Sequence, residues 1–433
     1  VLSTPTDRAA GLGGAVVLSA AATDNVAVTA VDFQVDGATV ATVVSTPYAT
    51  TIDSTRWPAG QHVVRVRARD AAGNASAWSS ATVESIGPAA VPAGFSLNQG
   101  WVSGLSSATA IAQAPDGRFF VAQQGGALRV VKNGVLLPTP FAQFPVDSSG
   151  ERGLVGVTLH PQFATNGWVY AYYTSSFGDA HNRIARLTAN GDVAVAGSEI
   201  DVDLPALGAT NHNGGGMKFG ADGKLYVGVG DNAVSANAQS TTAVFGKLLR
   251  LSDDLNIPTD NPFFATRSGL ARVVWADGLR NPYTLAVDAA SGTLFINDVG
   301  ENTWEEIDAG AAGANYGWPL SEGRANLGAG QTGPLFTYNH TPATPPGSLD
   351  GGFFVGQAIA GGVYPAAGPF PAEYRGSYFF ADYIAPFVGR YDRANGAAYA
   401  FAHLTGSPVD MLVGIDGQLY VLTRSAIVRI SVP

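Results

Sequence analysis

At 433 residues, with 46% hydrophobic and 13% charged positions, the chain can bury a large core, and a disordered polymer is excluded. Its formal net charge of −10 argues against a nucleic-acid backbone as partner, because phosphate binding calls for basic patches. Cysteine is absent, which removes disulfides, thiol nucleophiles and thiolate-held metals, and no run reaches the ~18 apolar residues of a membrane helix.

Residues 1–86 read as short alternating strands, among them Ala15-Val16-Val17-Leu18, Ala30-Val31-Asp32-Phe33-Gln34-Val35 and His62-Val63-Val64-Arg65-Val66. Asp36-Gly37 is a hairpin signal of the type I′ kind, and Pro58-Ala59-Gly60 is a second turn. Strands about every ten residues with turns between them predict a β-sandwich. The run Asp70-Ala71-Ala72-Gly73-Asn74 before a last strand resembles bacterial immunoglobulin-like and fibronectin-like modules on extracellular enzymes. Residues 87–94, proline-containing and without periodicity, are expected to be a linker.

From residue 95 to 433 a different unit recurs, a turn dipeptide followed by an apolar strand. It is seen at Asp116-Gly117, Asn166-Gly167, Asp222-Gly223, Ser291-Gly292, Arg375-Gly376 and Asp416-Gly417. Six such units predict an all-β fold, a six-bladed β-propeller preceded by the small immunoglobulin-like β-sandwich. The strand around Leu97 to Val102 is expected to join the last blade and so remove an open edge. Gly 54 and Pro 25 suit this economy of turns and short strands. Low charge and an abrupt, strand-like start at Val1 suggest an exported bacterial protein, secreted or periplasmic.

Three segments carry candidate chemistry. In Asn211-His212-Asn213-Gly214-Gly215-Gly216 a histidine precedes a glycine run, and a hairpin turned at Asp222-Gly223 brings Asp231 back beside it. An aspartate next to an imidazole selects its tautomer, as a general base requires. Arg280-Asn281-Pro282 offers a guanidinium fork to an anionic oxygen. The segment from Asn297 to Glu306, with Gly300 and Glu301, is expected to be an acidic loop with free carbonyls. Such a loop suits calcium, which takes six to eight oxygens.

Together with Glu151-Arg152-Gly153-Leu154-Val155-Gly156, Phe245-Gly246-Lys247-Leu248-Leu249-Arg250 and Trp318-Pro319, these segments resemble the soluble quinoprotein glucose and sorbosone dehydrogenase family. The resemblance implies pyrroloquinoline quinone (PQQ) across the channel mouth, held by calcium. It casts His212 as the base that takes a sugar hydroxyl proton, Asp231 as its orienter and Arg280 as the group that polarises the quinone carbonyl. Asn281 becomes a further quinone contact, and Glu151 and Asn211 fall where the sugar is touched. The carbonyls of Gly300 and Glu301 match one calcium position; Glu306, Tyr316 and Glu322 match a second.

The chain departs from the family where cations answer the quinone's carboxylates: near Ile384, Ser407 and Val409 none is present, and a threonine contact is replaced near Val355. Two other readings therefore stand beside the sugar oxidoreductase. One is a non-catalytic carbohydrate- or protein-binding propeller that has lost tight PQQ binding. The other is a hydrolase or lyase using His212 on a polysaccharide. The expected partners are a small-molecule or glycan substrate and an electron acceptor of unknown kind.

Overall fold

The computed structural model describes the chain at every residue except 8, 10, 11, 13, 14, 55, 56, 58, 59, 86–90, 93, 341–354, 366–368, 395 and 433. The expected turn at Pro58-Ala59-Gly60 and most of the expected linker at 87–94 lie outside the described residues.

In the N-terminal region, strands Leu2–Thr4, Ala15–Ala20 and Ala49–Asp53 form one antiparallel sheet. A second sheet runs in the order Ala38–Val43, Val28–Val35, Gly60–Asp70, Ser79–Ser85. Period-2 patterning explains the pairing. Val31, Phe33 and Val35 share one face, pair with Ala68, Val66 and Val64, and are buried. Asp36 and Gly37 both take positive φ, 47° and 85°, as a type I′ turn demands.

From Ser96 onward the strands build six antiparallel sheets, each a path of four strands, with an additional strand on the first and second, Ala142–Gln143 and Ile200–Ala206. Their first strands are Ala108–Gln113, Leu154–Leu159, Met217–Phe219, Pro282–Val287, Ile359–Val363 and Pro408–Val413. Each lies against the next in chain order, and Pro408–Val413 also lies against Ala108–Gln113. Ser96–Ser103 completes the sixth sheet by pairing with Ala426–Ser431, Leu97 opposite Ile430 and Val102 opposite Ile427. The result is an all-β, propeller-like fold behind an immunoglobulin-like domain.

The six turn dipeptides each join the first and second strand of a sheet, and their glycines have φ between 66° and 91°, where a side chain is disfavoured. At Asn166-Gly167 the turn is preceded by a single helical turn, Phe163–Asn166, closed by the Gly167 N–H on the Phe163 carbonyl. The second strands are almost wholly buried because neighbouring sheets cover both their faces. Between the fourth and fifth sheets, for example, Phe295 stacks on Tyr378 with ring centroids 4.5 Å apart. Burying such a ring contributes about 1.5–3 kcal/mol.

One expectation is corrected here. Asn297 and Asp298 end the strand Leu294–Asp298, and Glu305 and Glu306 belong to the strand Trp304–Ala309, with Asp298 paired to Glu306. The acidic loop is therefore only residues 299–303. Trp304 and Ile307, on opposite faces of the strand, both have buried sites to fill, and that extends the hairpin into the acidic run.

Candidate functional site

With all six turns at one end of the sheets, the opposite end carries the starts of the first strands and the ends of the second strands. His212 precedes Met217–Phe219, Arg280 and Asn281 precede Pro282–Val287, and Asp231 follows Leu225–Val229. All four sequence candidates thus meet at one end of the fold.

The expected hairpin forms, with Met217 opposite Val227. It brings His212 Nδ1 to 2.8 Å from Asp231 Oδ1. Asp231 is 1% exposed. Its Oδ1 also accepts the Ala233 N–H at 2.8 Å, and its Oδ2 accepts the Trp318 indole N–H at 2.9 Å. A carboxylate on Nδ1 requires the Nδ1–H tautomer, so Nε2 carries the lone pair, and it has no partner among the described residues. The His212 N–H is held by Glu151 Oε2 at 2.7 Å. His212, Asn232 and Ala233 all have positive φ, between 54° and 55°, a costly cluster for non-glycine residues. Gly230 is required here, because a Cβ on it would run into the His212 carbonyl.

The Arg280 turn is pinned from beneath. Asp298 accepts the backbone N–H groups of Arg280 at 2.9 Å and Asn281 at 2.6 Å. Burial pushes the Asp298 carboxyl up to about 7, against the pull of those two N–H bonds and the Arg280 charge, and nearby Asp231 adds to the rise. The Arg280 guanidinium donates to the Val299 carbonyl at 3.0 Å and lies 5.6 Å from the Trp318 ring centroid. Its buried Nε has no partner among the described residues. Asn281 Oδ1 accepts the Gly214 N–H at 3.0 Å, and the Asp231 N–H donates to the Arg280 carbonyl at 2.8 Å. The histidine and arginine segments are therefore one hydrogen-bonded unit.

Beside this unit is a cavity of about 230 Å³ whose lining includes Thr109, Gln124, Glu151, Asn281, Tyr383 and Arg424. Gln124, Val299, Tyr383 and Arg424 each stand one residue past the second strand of their sheet. The lining combines apolar side chains with the donors of Gln124, Asn281 and Arg424, a setting that suits a flat ligand carrying anionic oxygens. Asn211 is partly exposed just before His212, and Glu151 is exposed at the rim.

The calcium candidates separate into two behaviours. Glu322 Oε1 accepts four backbone N–H groups, those of Glu301, Asn302, Thr303 and Trp304, at 2.9–3.2 Å. Burial opposes its ionisation, but these bonds prevail and hold the carboxyl below its usual range. Glu322 is thus a staple for the loop that carries Gly300 and Glu301; its Oε2 has no partner among the described residues. Glu306 accepts the Gly323 N–H at 2.5 Å, and burial with the nearby Asp298 charge pushes it up to about 8. Tyr316 is buried and donates its hydroxyl to the Ala309 carbonyl at 2.7 Å. Asp308, two residues after Glu306 on the same strand face, is fully buried and neither of its oxygens has a partner among the described residues.

At the departures, Ile384 is 55% exposed, Val409 is buried among apolar neighbours, and Val355 bridges to Asn339. The sequence reading missed Asp298 as the pin beneath Arg280, Trp318 as the second partner of Asp231, and Arg424 in the cavity. The shared position one residue past each second strand was the signal available for Arg424.

Comparison with known proteins agrees with this architecture. The family model described as glucose/sorbosone dehydrogenase matches residues 105–429, and a bacterial immunoglobulin domain model matches residues 1–66. The chain is 31% identical over 252 residues to the aldose sugar dehydrogenase YliI of Escherichia coli, covering 54% of this chain and 68% of that one. It resembles the solved apo form of the soluble aldose sugar dehydrogenase from Escherichia coli at a TM-score of 0.68 and 25% identity, covering 78% of this chain and all of that one. The PQQ-bound aldose sugar dehydrogenase of Streptomyces coelicolor gives 0.64 and 26%, covering 79% of this chain and 99% of that one. By a match that spans most of its length, from the first sheet to the last, this chain belongs to the glucose/sorbosone dehydrogenase family.

Proposed function

We propose that the protein oxidises a sugar or related alcohol with PQQ as its cofactor. The observation that carries this is the His212–Asp231–Trp318 chain, hydrogen-bonded through backbone to the Arg280-Asn281 turn beside a donor-lined cavity. In this reading residues 1–86 are an immunoglobulin-like domain, 87–94 a linker, and 95–433 a closed six-bladed propeller with its reaction centre at one channel mouth.

When bound, PQQ supplies the two-electron acceptor. Asp231 keeps the proton on Nδ1, so His212 Nε2 takes the proton of the sugar hydroxyl. Arg280 sets positive charge where an oxygen gains negative charge. Asn281, its Oδ1 already engaged, has its NH₂ group free for a cofactor oxygen. Glu151 and Asn211 form the sugar-facing rim.

Calcium belongs in the same reading, with the carbonyls of Gly300 and Glu301 at the cofactor and Glu306, the Tyr316 carbonyl and Glu322 Oε2 at a second position. The unpartnered oxygens of fully buried Asp308 beside Glu306 support a cation there, because an uncompensated buried carboxylate is costly. The protein is assigned to the bacterial periplasm or exterior; no described helix is long and apolar enough to cross a membrane.

The test is a PQQ and calcium titration of the purified chain, followed by dye reduction with aldoses, on wild type and His212→Ala. Turnover is expected to fall by ~10²–10⁴ in the variant with the fold intact. Absence of PQQ binding at high micromolar concentration, with no dye reduction on any sugar, would leave the non-catalytic binding propeller as the better account.

A further inference from the structure

Arg424 is the one cationic side chain among the described residues lining the cavity. It follows the strand Leu419–Thr423 directly, and its backbone N–H donates to the Ser407 carbonyl at 3.3 Å. It is therefore the cross-strand neighbour of a position where the chain has no charge. Its guanidinium meets only neutral acceptors: Nη1 donates to the Ala108 carbonyl at 3.2 Å and Nη2 to Gln124 Oε1 at 2.5 Å. No carboxylate among the described residues pairs with it.

The guanidinium is also aimed. Gln124 donates its amide to the carbonyls of Gly150 at 2.7 Å and Arg152 at 3.0 Å. That fixes which end of the amide is the oxygen and turns it toward Arg424. Two of the five guanidinium N–H groups are thereby used to orient the fork, and the rest have no partner among the described residues. A half-buried arginine that is pre-oriented by neutral groups, and that no carboxylate of the described residues pairs with although Glu151 lines the same cavity, can receive an anion.

We infer that Arg424 anchors a carboxylate of the bound quinone, so that the charge absent at Ile384, Ser407 and Val409 is supplied from the end of the adjacent strand. This rests on the reading that PQQ occupies the cavity. Gln124 is then a positioning residue that acts through Arg424.

The experiment is a fluorescence or calorimetric titration with two probes, PQQ and its trimethyl ester, which keeps the rings and removes the three negative charges. Wild type, Arg424→Met and Arg424→Lys are compared at two salt concentrations, with circular dichroism verifying the fold. Arg424→Met should weaken PQQ binding about 10- to 100-fold, the loss of one charged hydrogen-bonded contact, and leave ester affinity within about threefold. Arg424→Lys should recover part of the loss, and the salt dependence seen in wild type should diminish in Arg424→Met. Equal PQQ affinity in wild type and Arg424→Met would overturn the assignment while leaving the quinone reading intact. If Arg424→Met fails to fold, Arg424→Gln, which stays polar and removes the charge, decides through the ratio of PQQ to ester affinity: an unchanged ratio with unchanged salt dependence counts against the anchor. No binding of either probe to wild type would overturn both readings together.

Discussion

Replacing Asp231 by asparagine probes the base directly, because the side chain keeps its size and loses only its charge and one acceptor. Asp231 receives three donors: His212 Nδ1–H, the Ala233 N–H and the Trp318 indole N–H. An asparagine oxygen can take the place of only one carboxylate oxygen. If it faces His212 and Ala233, the NH₂ group is set against the indole N–H, donor to donor. If it faces Trp318, the NH₂ group meets the Ala233 N–H and drives the imidazole to the Nε2–H tautomer, which has no lone pair for a substrate proton. At a site 1% exposed, the lost bond leaves a buried donor unsatisfied, which costs about 1–3 kcal/mol. For a chain of this size that lowers the melting temperature by roughly 1–4 °C. Turnover should fall further, by ~10²–10⁴, because the base is held in the wrong protonation pattern. The assay is steady-state dye reduction with PQQ at saturation, alongside a PQQ titration that should change little. A variant that keeps its turnover within threefold of wild type, with the same pH profile, would refute the assignment of Asp231 as the residue that sets the tautomer.

Trp318→Phe removes the other donor to Asp231 Oδ2 while keeping a ring beneath Arg280. Turnover should fall about tenfold and the melting temperature by a few degrees, read by the same assay and a thermal scan. Calcium should stabilise the chain by mass action, about 2.7 kcal/mol at a hundredfold excess over its dissociation constant; identical melting in chelator and in millimolar calcium would count against the metal. Burial holds the His160 imidazole below its ordinary value despite nearby Asp253. Its neutral form therefore contributes stability that is complete above about pH 6.5. That contribution should decline as pH falls from there toward the lower folded-state value, because the unfolded chain takes up the proton first. Denaturant unfolding of wild type and His160→Asn from pH 7.5 to 5 should show the wild-type advantage shrinking on acidification, and a constant difference would contradict it.

Much of this was open to reading from residue order alone, where the physics is local. The six turn-and-strand units depend on a positive-φ glycine and period-2 patterning within about ten residues, and each appears at its expected place. His212 and Asp231 meet because a hairpin turned at Asp222-Gly223 makes their distance a matter of counting. Local reading overextended the acidic loop, since nothing nearby in sequence told that the strand Trp304–Ala309 continues through Glu305 and Glu306. What bulky neighbours fill was decided by the adjoining sheets.

The contacts that complete the site come from far along the chain. Trp318 reaches Asp231 across 87 residues, and Arg424 reaches Gln124 across 300. Neither pairing leaves a periodicity or spacing to count, because each follows from how sheets stand side by side and not from the pitch of a strand. The pairing of His212 with Asp231 was therefore set by sequence. The pin beneath Arg280 and the cation in the cavity were settled only by tertiary packing, which brings the ends of separate strands to one mouth.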